Sequence, residues 1–281
     1  MPALEHLLTS LQLRVLVATR APLPPQWKVD EHVLPCNKIY YVFHGEGGYS
    51  IDGARHAMRP GHVALLPARH RNHCWHDPKQ PFDKIWIHFD ARVLGLVDLF
   101  DVLPCPAPMA VPAGAEIRTL LEALVRENAS QAPSGPFRPL ALNGLLSLAL
   151  AQILSLAQSI PAQQEVLLRG PGDRVGVVLQ HIAEHFADAL TLESLATLVH
   201  LHPTYFSNTF RKATGLAPMA FLQRFRIERA KGLLASSDLP VMEVAQRVGF
   251  ADPYHFSRVF KKLTGTPPTQ FQESVRRTGE R

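Results

Sequence analysis

From Trp27 to Phe89 the apolar positions fall in short runs rich in β-branched and aromatic residues, such as Lys38–Phe43 and Lys84–Phe89, and the gaps between them hold glycine and proline, among them Gly45, Gly53, Pro60, Gly61 and Pro78. Short strands separated by turn signals predict an antiparallel β-barrel or sandwich. Beyond the proline-rich stretch Pro104–Pro112 the period becomes helical, at Glu116–Asn128 and again at Leu140–Ala157. The latter carries no charge and by length alone is a marginal membrane span. Asn143, Ser147 and Ser155 recur at multiples of four, so a buried or interface helix with one polar stripe is expected instead. Pro161–Asp173, with Gly170, Pro171 and Gly172 near its end, reads as an interdomain linker, and everything after it as helix and turn. The expected fold is α+β: a barrel in residues 1–112, a helical packing or dimerisation segment in 113–160, a linker in 161–172 and an all-helical domain in 173–281.

That last domain contains a repeat. Residues 202–221 read HPTYFSNTFRKATGLAPMAF and residues 252–271 read DPYHFSRVFKKLTGTPPTQF, aligned at an offset of 50. Pro203 matches Pro253, Phe206 matches Phe256, Phe210 matches Phe260, Gly215 matches Gly265 and Pro218 matches Pro268. A duplicated structural unit follows. In the second copy Asp252 suits an N-cap, Pro253 the first helical position and Gly265 a C-cap, while Phe256 and Phe260 share one inward face. The helix before it, Pro240–Val248, ends at Gly249, which can take the positive φ of a tight interhelical turn. Helix, short turn, helix is the helix-turn-helix pattern, expected at about residues 240–263 and, with Leu192–Val199 and Pro203–Ala213, at 192–213. The first copy carries His200 in the turn where the second has Gly249. Opposite the inward phenylalanines lie Thr204, Ser207, Asn208 and Arg211 in one copy and Tyr254, Ser257, Arg258 and Lys261 in the other, side chains able to bond base edges and phosphates. A single such face would read equally well as an ordinary solvated one; two at fixed spacing favour double-stranded DNA. Between them, Pro218–Ala235 predicts a connecting helix of roughly 27 Å, compatible with recognition helices about one DNA turn, roughly 34 Å, apart.

Charge supports this without deciding it. The 281 residues carry a formal net charge of +5, and the excess is +4 after residue 172 against +1 before it. Three cysteines, Cys36, Cys74 and Cys105, have no metal-type spacing, and the N-terminal residues lack signal-peptide zones, so a reducing cytoplasm is expected.

The motif VMEVAQRVGFADPYHFSRVFKKLTGTPPTQF resembles the signature of the AraC/XylS family of bacterial transcription regulators, and the likeness extends over about Asp173 to Ser274. It implies two helix-turn-helix subdomains contacting DNA through the exposed positions above, no enzymatic activity, and a contact with RNA polymerase. This chain departs from the pattern at Asn208, where arginine is frequent, and at Gln272, where a basic residue is common.

The stretch FHGEGGYSIDGARHAMRPGHVALLPARHRNHCWHDP looks like the cupin-like sensor barrel of many members. Metal-dependent cupins present paired histidines in their first motif; Tyr49–Arg55 offers none, so neither metal nor other cofactor is expected despite His70, His73 and His76, and a cupin enzyme is the runner-up. The resemblance to sugar-sensing members implies effector contacts at His44, His73, Trp75 and Trp86, with a carbohydrate or polyol as ligand. Ligand would act by favouring one arrangement of the DNA-binding domain, in a homodimer formed through Glu116–Asn128 and Leu140–Ala157.

Overall fold

The structure, a computed structural model, describes residues 2–33, 35–129, 136–160 and 172–279. The expected linker 161–172 lies outside these residues except for its last. The chain divides into two units, Ser10 to Gly172 and, separately, the N-terminal helix with Asp173 onward.

The first unit is a two-sheet β domain. One sheet runs β1 (Gln12–Pro22), β8 (Asp83–Val93), β3 (Asn37–His44), β6 (His62–Leu66) and β10 (Met109–Ala110), with β9 (Val97–Asp98) beside β8; the other runs β2 (Lys28–Val33), β7 (Arg71–His76), β4 (Gly47–Ile51) and β5 (Ala54–Met58). All pairings are antiparallel. The predicted strand runs sit inside β3 and β8, and the sheet begins earlier than the sequence suggested, because β1 precedes Trp27. Three helices, α2 (Leu99–Val102), α3 (Ile117–Ala129) and α4 (Arg138–Ser159), pack on the larger sheet at β1 and β8. The central strand β8 is therefore covered on both faces. Ile85, Ile87 and Phe89 are fully buried on one, each stabilising by about 1.5–3 kcal/mol, and Phe89 meets Phe100 of α2 edge-on. The alternate residues Lys84, Trp86 and His88 look into the space between the sheets.

On α4 the expected polar stripe turns out less polar than the spacing suggested. Leu146, Ala149, Leu150, Ile153 and Ala157 are buried, while Leu140, Ala141, Gly144, Leu148 and Ala151 share the exposed side with Ser147 and Ser155. By length and composition this helix could cross a membrane, yet its buried face is spent on α3 and β1.

The second unit is all helix: α1 (Pro2–Thr9), α5 (Gly172–His185), α6 (Leu192–Leu198), α7 (Pro203–Thr214), α8 (Pro218–Ser236), α9 (Val241–Arg247), α10 (Pro253–Thr264) and α11 (Pro268–Gly279). The expectation that the chain's first residues belong to the barrel is corrected here: Leu7 of α1 is fully buried and lies 3.8 Å from where a Cβ on Gly176 would stand, so an apolar contact with α5 holds α1 in the helical unit. The long α8 is the centre of that unit, touching α7, α9, α10 and α11. Phe221, Leu222, Phe225, Ile227, Ala230 and Leu234 bury different sides of it at once.

The two helix-turn-helix copies differ at their turns, where the first takes positive φ at His200 (+54°) and the second at Gly249 (+84°), while Gly215 and Gly265 are matching C-caps. Gly249 has φ +84°, and a Cβ there would lie 2.7 Å from the carbonyl oxygen of Ala187. Gly215, the left-handed C-cap of α7 at φ +75°, has open space around it. Gly249→Ala should therefore lose about 2–5 kcal/mol, strain and backbone overlap together, whereas Gly215→Ala should lose about 1 kcal/mol from strain alone. Chemical unfolding of the full chain, followed by its helical circular dichroism, checks this; equal losses would show that the approach of Ala187 costs nothing.

Candidate nucleic-acid interface and effector cavity

The two second helices are built alike. His202 accepts at Nδ1 from Thr204 N at 3.4 Å to cap α7, and Asp252 accepts from Tyr254 N at 2.9 Å to cap α10. Thr214 and Thr264 each donate to the carbonyl four residues back, at 2.9 and 2.8 Å, and Gly215 and Gly265 close both helices in the left-handed conformation. Phe206 and Phe210 are buried on α7 as Phe256 and Phe260 are on α10. Phe210 meets Phe221 edge-on at 5.6 Å, and Phe260 meets Phe271 at the same distance.

Pinned this way, each helix turns the predicted contact residues outward. Thr204, Asn208 and Arg211 are exposed and Ser207 half-buried; Tyr254, Arg258 and Lys261 are exposed and Ser257 half-buried. Tyr254, 83% exposed, and Tyr205, 61% exposed, are large aromatics with little intramolecular cover, which fits a surface completed by a partner. The Ser257 hydroxyl donates to Pro253 O at 3.0 Å, so toward DNA it offers acceptor lone pairs. Lys212 and Lys262 at corresponding positions add exposed positive charge that the sequence reading did not single out, although the repeat alignment displays it. Gln272, the departure on α11, donates to Leu239 O at 3.0 Å and so fastens α11 to the turn after α8. Arg226 of α8 donates from two nitrogens to Phe186 O and Asp188 O, both at 2.7 Å, fixing the connecting helix to the end of α5.

In the barrel, a cavity of about 280 Å³ opens among Leu23, Trp27, Val29, His32, Lys38, Tyr40, Lys84, Trp86 and His88. That is near the lower end of the usual range for small-molecule sites, which start at roughly 300 Å³. Strand pairing sets its wall: Lys38 lies opposite His88 and Tyr40 opposite Trp86 in the β3–β8 ladder. Lys84 is 2% exposed, and its Nζ stands 3.7 Å from the Tyr40 ring centre and 4.1 Å from that of Trp27. Burial holds its ammonium pKa down at about 7, with the nearby Lys38 charge adding to the depression. Lys38, equally buried, donates to Asn72 Oδ1 at 3.2 Å, and burial lowers its pKa too. His88 is lowered by burial first and then by Lys38, Lys84 and His32.

Of the four effector residues expected from the sequence, only Trp86 lines this cavity. His44 is exposed at the end of β3. His73 and Trp75 stack on each other at 5.1 Å and alternate along β7 with the buried Asn72, Cys74 and His76; Arg55 lies 4.5 Å over the Trp75 ring. The physical reason is register: one residue along a strand exchanges the interior face for the outer one. The alternation Lys84-Ile85-Trp86-Ile87-His88 was the available signal for the cavity's other lining residues, but a strand lysine is ordinarily assigned to solvent.

The three clustered histidines separate. His70 Nδ1 lies 2.6 Å from Asp52 Oδ2, His73 stacks on Trp75, and His76 bonds Pro25 O and accepts from Phe82 N. Among the described residues no group of three or more potential metal ligands comes together. The cysteines are unpaired; burial pushes the thiols of Cys36 and Cys105 up, away from the thiolate form that redox chemistry uses.

Comparison with known proteins agrees with both halves. Residues 195–274 match a model described as a helix-turn-helix domain, and residues 18–150 match one described as an AraC-like ligand binding domain. The HTH-type transcriptional activator RhaS of Shigella sonnei (strain Ss046) is 25% identical over 234 residues, covering 82% of this chain and 83% of that protein. RhaS of Escherichia coli (strain K12 / DH10B) is 24% identical over the same length and coverage. The DNA-binding domain of AdpA, solved in complex with a target DNA, is 30% identical, with 37% of this chain and 95% of that chain covered and a TM-score of 0.37. A duplicated helix-turn-helix unit with its contact faces turned out, joined in one chain to a ligand-binding barrel, places the chain in the AraC/XylS family of DNA-binding transcription regulators.

Proposed function

We propose that this protein works in the cytoplasm as a homodimeric regulator whose sequence-specific grip on DNA responds to a small carbohydrate or polyol bound in the barrel. The observation that carries the reading is the duplication: two helices, capped at matching positions and each clamped by a phenylalanine pair, present the same four positions outward. Thr204, Ser207, Asn208 and Arg211 would enter one major groove and Tyr254, Ser257, Arg258 and Lys261 the next, with α8 as the spacer. The aromatic wall of the cavity suits the CH faces of a polyol and its polar groups suit the hydroxyls. The apolar exposed side of α4, with Leu140, Gly144 and Leu148, is the dimerisation surface, its small residues allowing close approach of a second helix. Relatives named as transcriptional activators favour activation, for which a contact with RNA polymerase would be the route.

Affinity selection of random duplexes by the purified protein at fixed salt, with and without neutral sugars, is the direct test; a motif spanning two successive major grooves supports the reading and an unenriched pool rejects it. Arg258→Ala should cost about 1–3 kcal/mol of affinity at one base position while leaving the others unchanged. A loss spread evenly over all sequences would instead mark Arg258 as a phosphate contact. Leu148→Asp should convert the dimer to monomer in analytical ultracentrifugation, and a wild-type chain that sediments as monomer at micromolar concentration would remove the dimer from the scheme.

A further inference from the structure

The barrel cavity is basic in a way that a neutral ligand does not explain. Lys84 and Lys38 are 2% and 3% exposed, both beside the same Tyr40 ring, and His32 and His88 complete the lining. Among the described residues no carboxylate lines the cavity, and Lys84 Nζ makes no hydrogen bond or ion pair; the rings of Tyr40, Trp27 and Phe82 lie against it. A buried cation without a counter-ion is costly, and proteins that place one in a cavity gain when a ligand supplies the missing charge. A neutral sugar could find acceptors in His32, His88 and Tyr40 but would leave the lysine charges uncompensated, whereas an acid group supplies the counter-charge. Resting on the regulator reading above, we infer that the effector carries an acid group, a carboxylate or phosphate monoester on a small polyol body, and that Lys84 with Lys38 holds that group while Trp27, Tyr40 and Trp86 hold the body.

The buried lysine adds a proton linkage. With Lys84 near 7 in the free protein, anion binding above that pH must take up a proton, because the bound acid group raises the lysine. Affinity should be flat just below pH 7 and fall by up to about tenfold per pH unit above it. The groups facing Lys84 are Lys38 and Tyr40 on β3, His88 on β8, His32 on β2 and Cys74 on β7; burial keeps the Tyr40 hydroxyl neutral throughout, and His88 gains charge only toward acid.

The experiment uses the full chain and follows fluorescence of Trp27 and Trp86 and thermal unfolding at pH 6.5 and 8.5. The probes are glucose, gluconate and glucose 6-phosphate, together with xylose, xylonate and xylose 5-phosphate. Acid forms should bind and the neutral sugars should not at the same concentration; aldonates against phosphates tell which acid is meant. Lys84→Met, which keeps the apolar stem and removes the buried charge, should fold and weaken anion binding by about 10- to 100-fold, with Lys38→Met weaker in effect. Neutral sugars binding as tightly as their acids, anions binding Lys84→Met as tightly as wild type, or no probe binding at all would overturn the acid-group inference. Duplex selection with the same preparations separates the two readings: enrichment without anion binding leaves the regulator intact, and anion binding through Lys84 without enrichment leaves the site but removes its regulatory role.

Discussion

In the helical unit, orientation depends on one repeated contact, the i, i+4 phenylalanine pair pressed onto neighbouring helices. Phe206 and Phe210 on one side, Phe256 and Phe260 on the other, are essentially without solvent exposure, and truncating any such aromatic typically costs about 3–5 kcal/mol. Because a helix has only one azimuth that buries positions four apart, this burial also dictates which residues look outward. The outward face proposed for DNA contact is thus a by-product of the core. Helix α8 can serve both copies because its apolar residues are distributed around it rather than along one stripe, Phe221 and Phe225 meeting α7 and α5 neighbours while Ile227, Ala230 and Leu234 join the core around Phe256 and Phe260.

The barrel obeys a different rule. A central strand covered by helices on one face and by a second sheet on the other has no solvent side, so its alternation separates a dry apolar face from a face that must accommodate polar groups internally. Lys84, Trp86 and His88 occupy that second face, and their burial is what turns an inter-sheet space into a site with its own electrostatics. The depressed lysine follows from geometry: low dielectric penalises the ammonium and the surrounding rings compensate only in part. The cavity proposed for the effector and the packing of the barrel therefore draw on the same strands.

The two helix-turn-helix units were legible in the sequence, whereas the first helix of the helical unit, α1, was not. The cap at Asp252, the left-handed glycine at Gly265 with its match at Gly215, and the phenylalanine spacing are local rules, each enforced within a few residues; the cap at His202 emerged only with the structure. The outward faces of the two recognition helices were legible for the same reason, since periodicity alone assigns them once the inward aromatics are known. The strands of the barrel and the helices after it were also legible, from alternation and turn residues.

Tertiary structure decided the rest. Whether His73 or Cys74 faces the barrel interior is a matter of strand register, which no local signal in β7 specifies, and so three of four expected effector residues stand outside the cavity. That Lys38 and Lys84 are inside it depends on strands β3 and β8 pairing across more than forty residues and on helices sealing the other face. The place of α1 among the C-terminal helices depends likewise on a contact between Leu7 and the neighbourhood of Gly176 that sequence proximity argues against. Local chemistry fixes helices, caps and faces; the burial of a charge, and with it the character of the barrel cavity, is a property of what distant segments bring to lie over it.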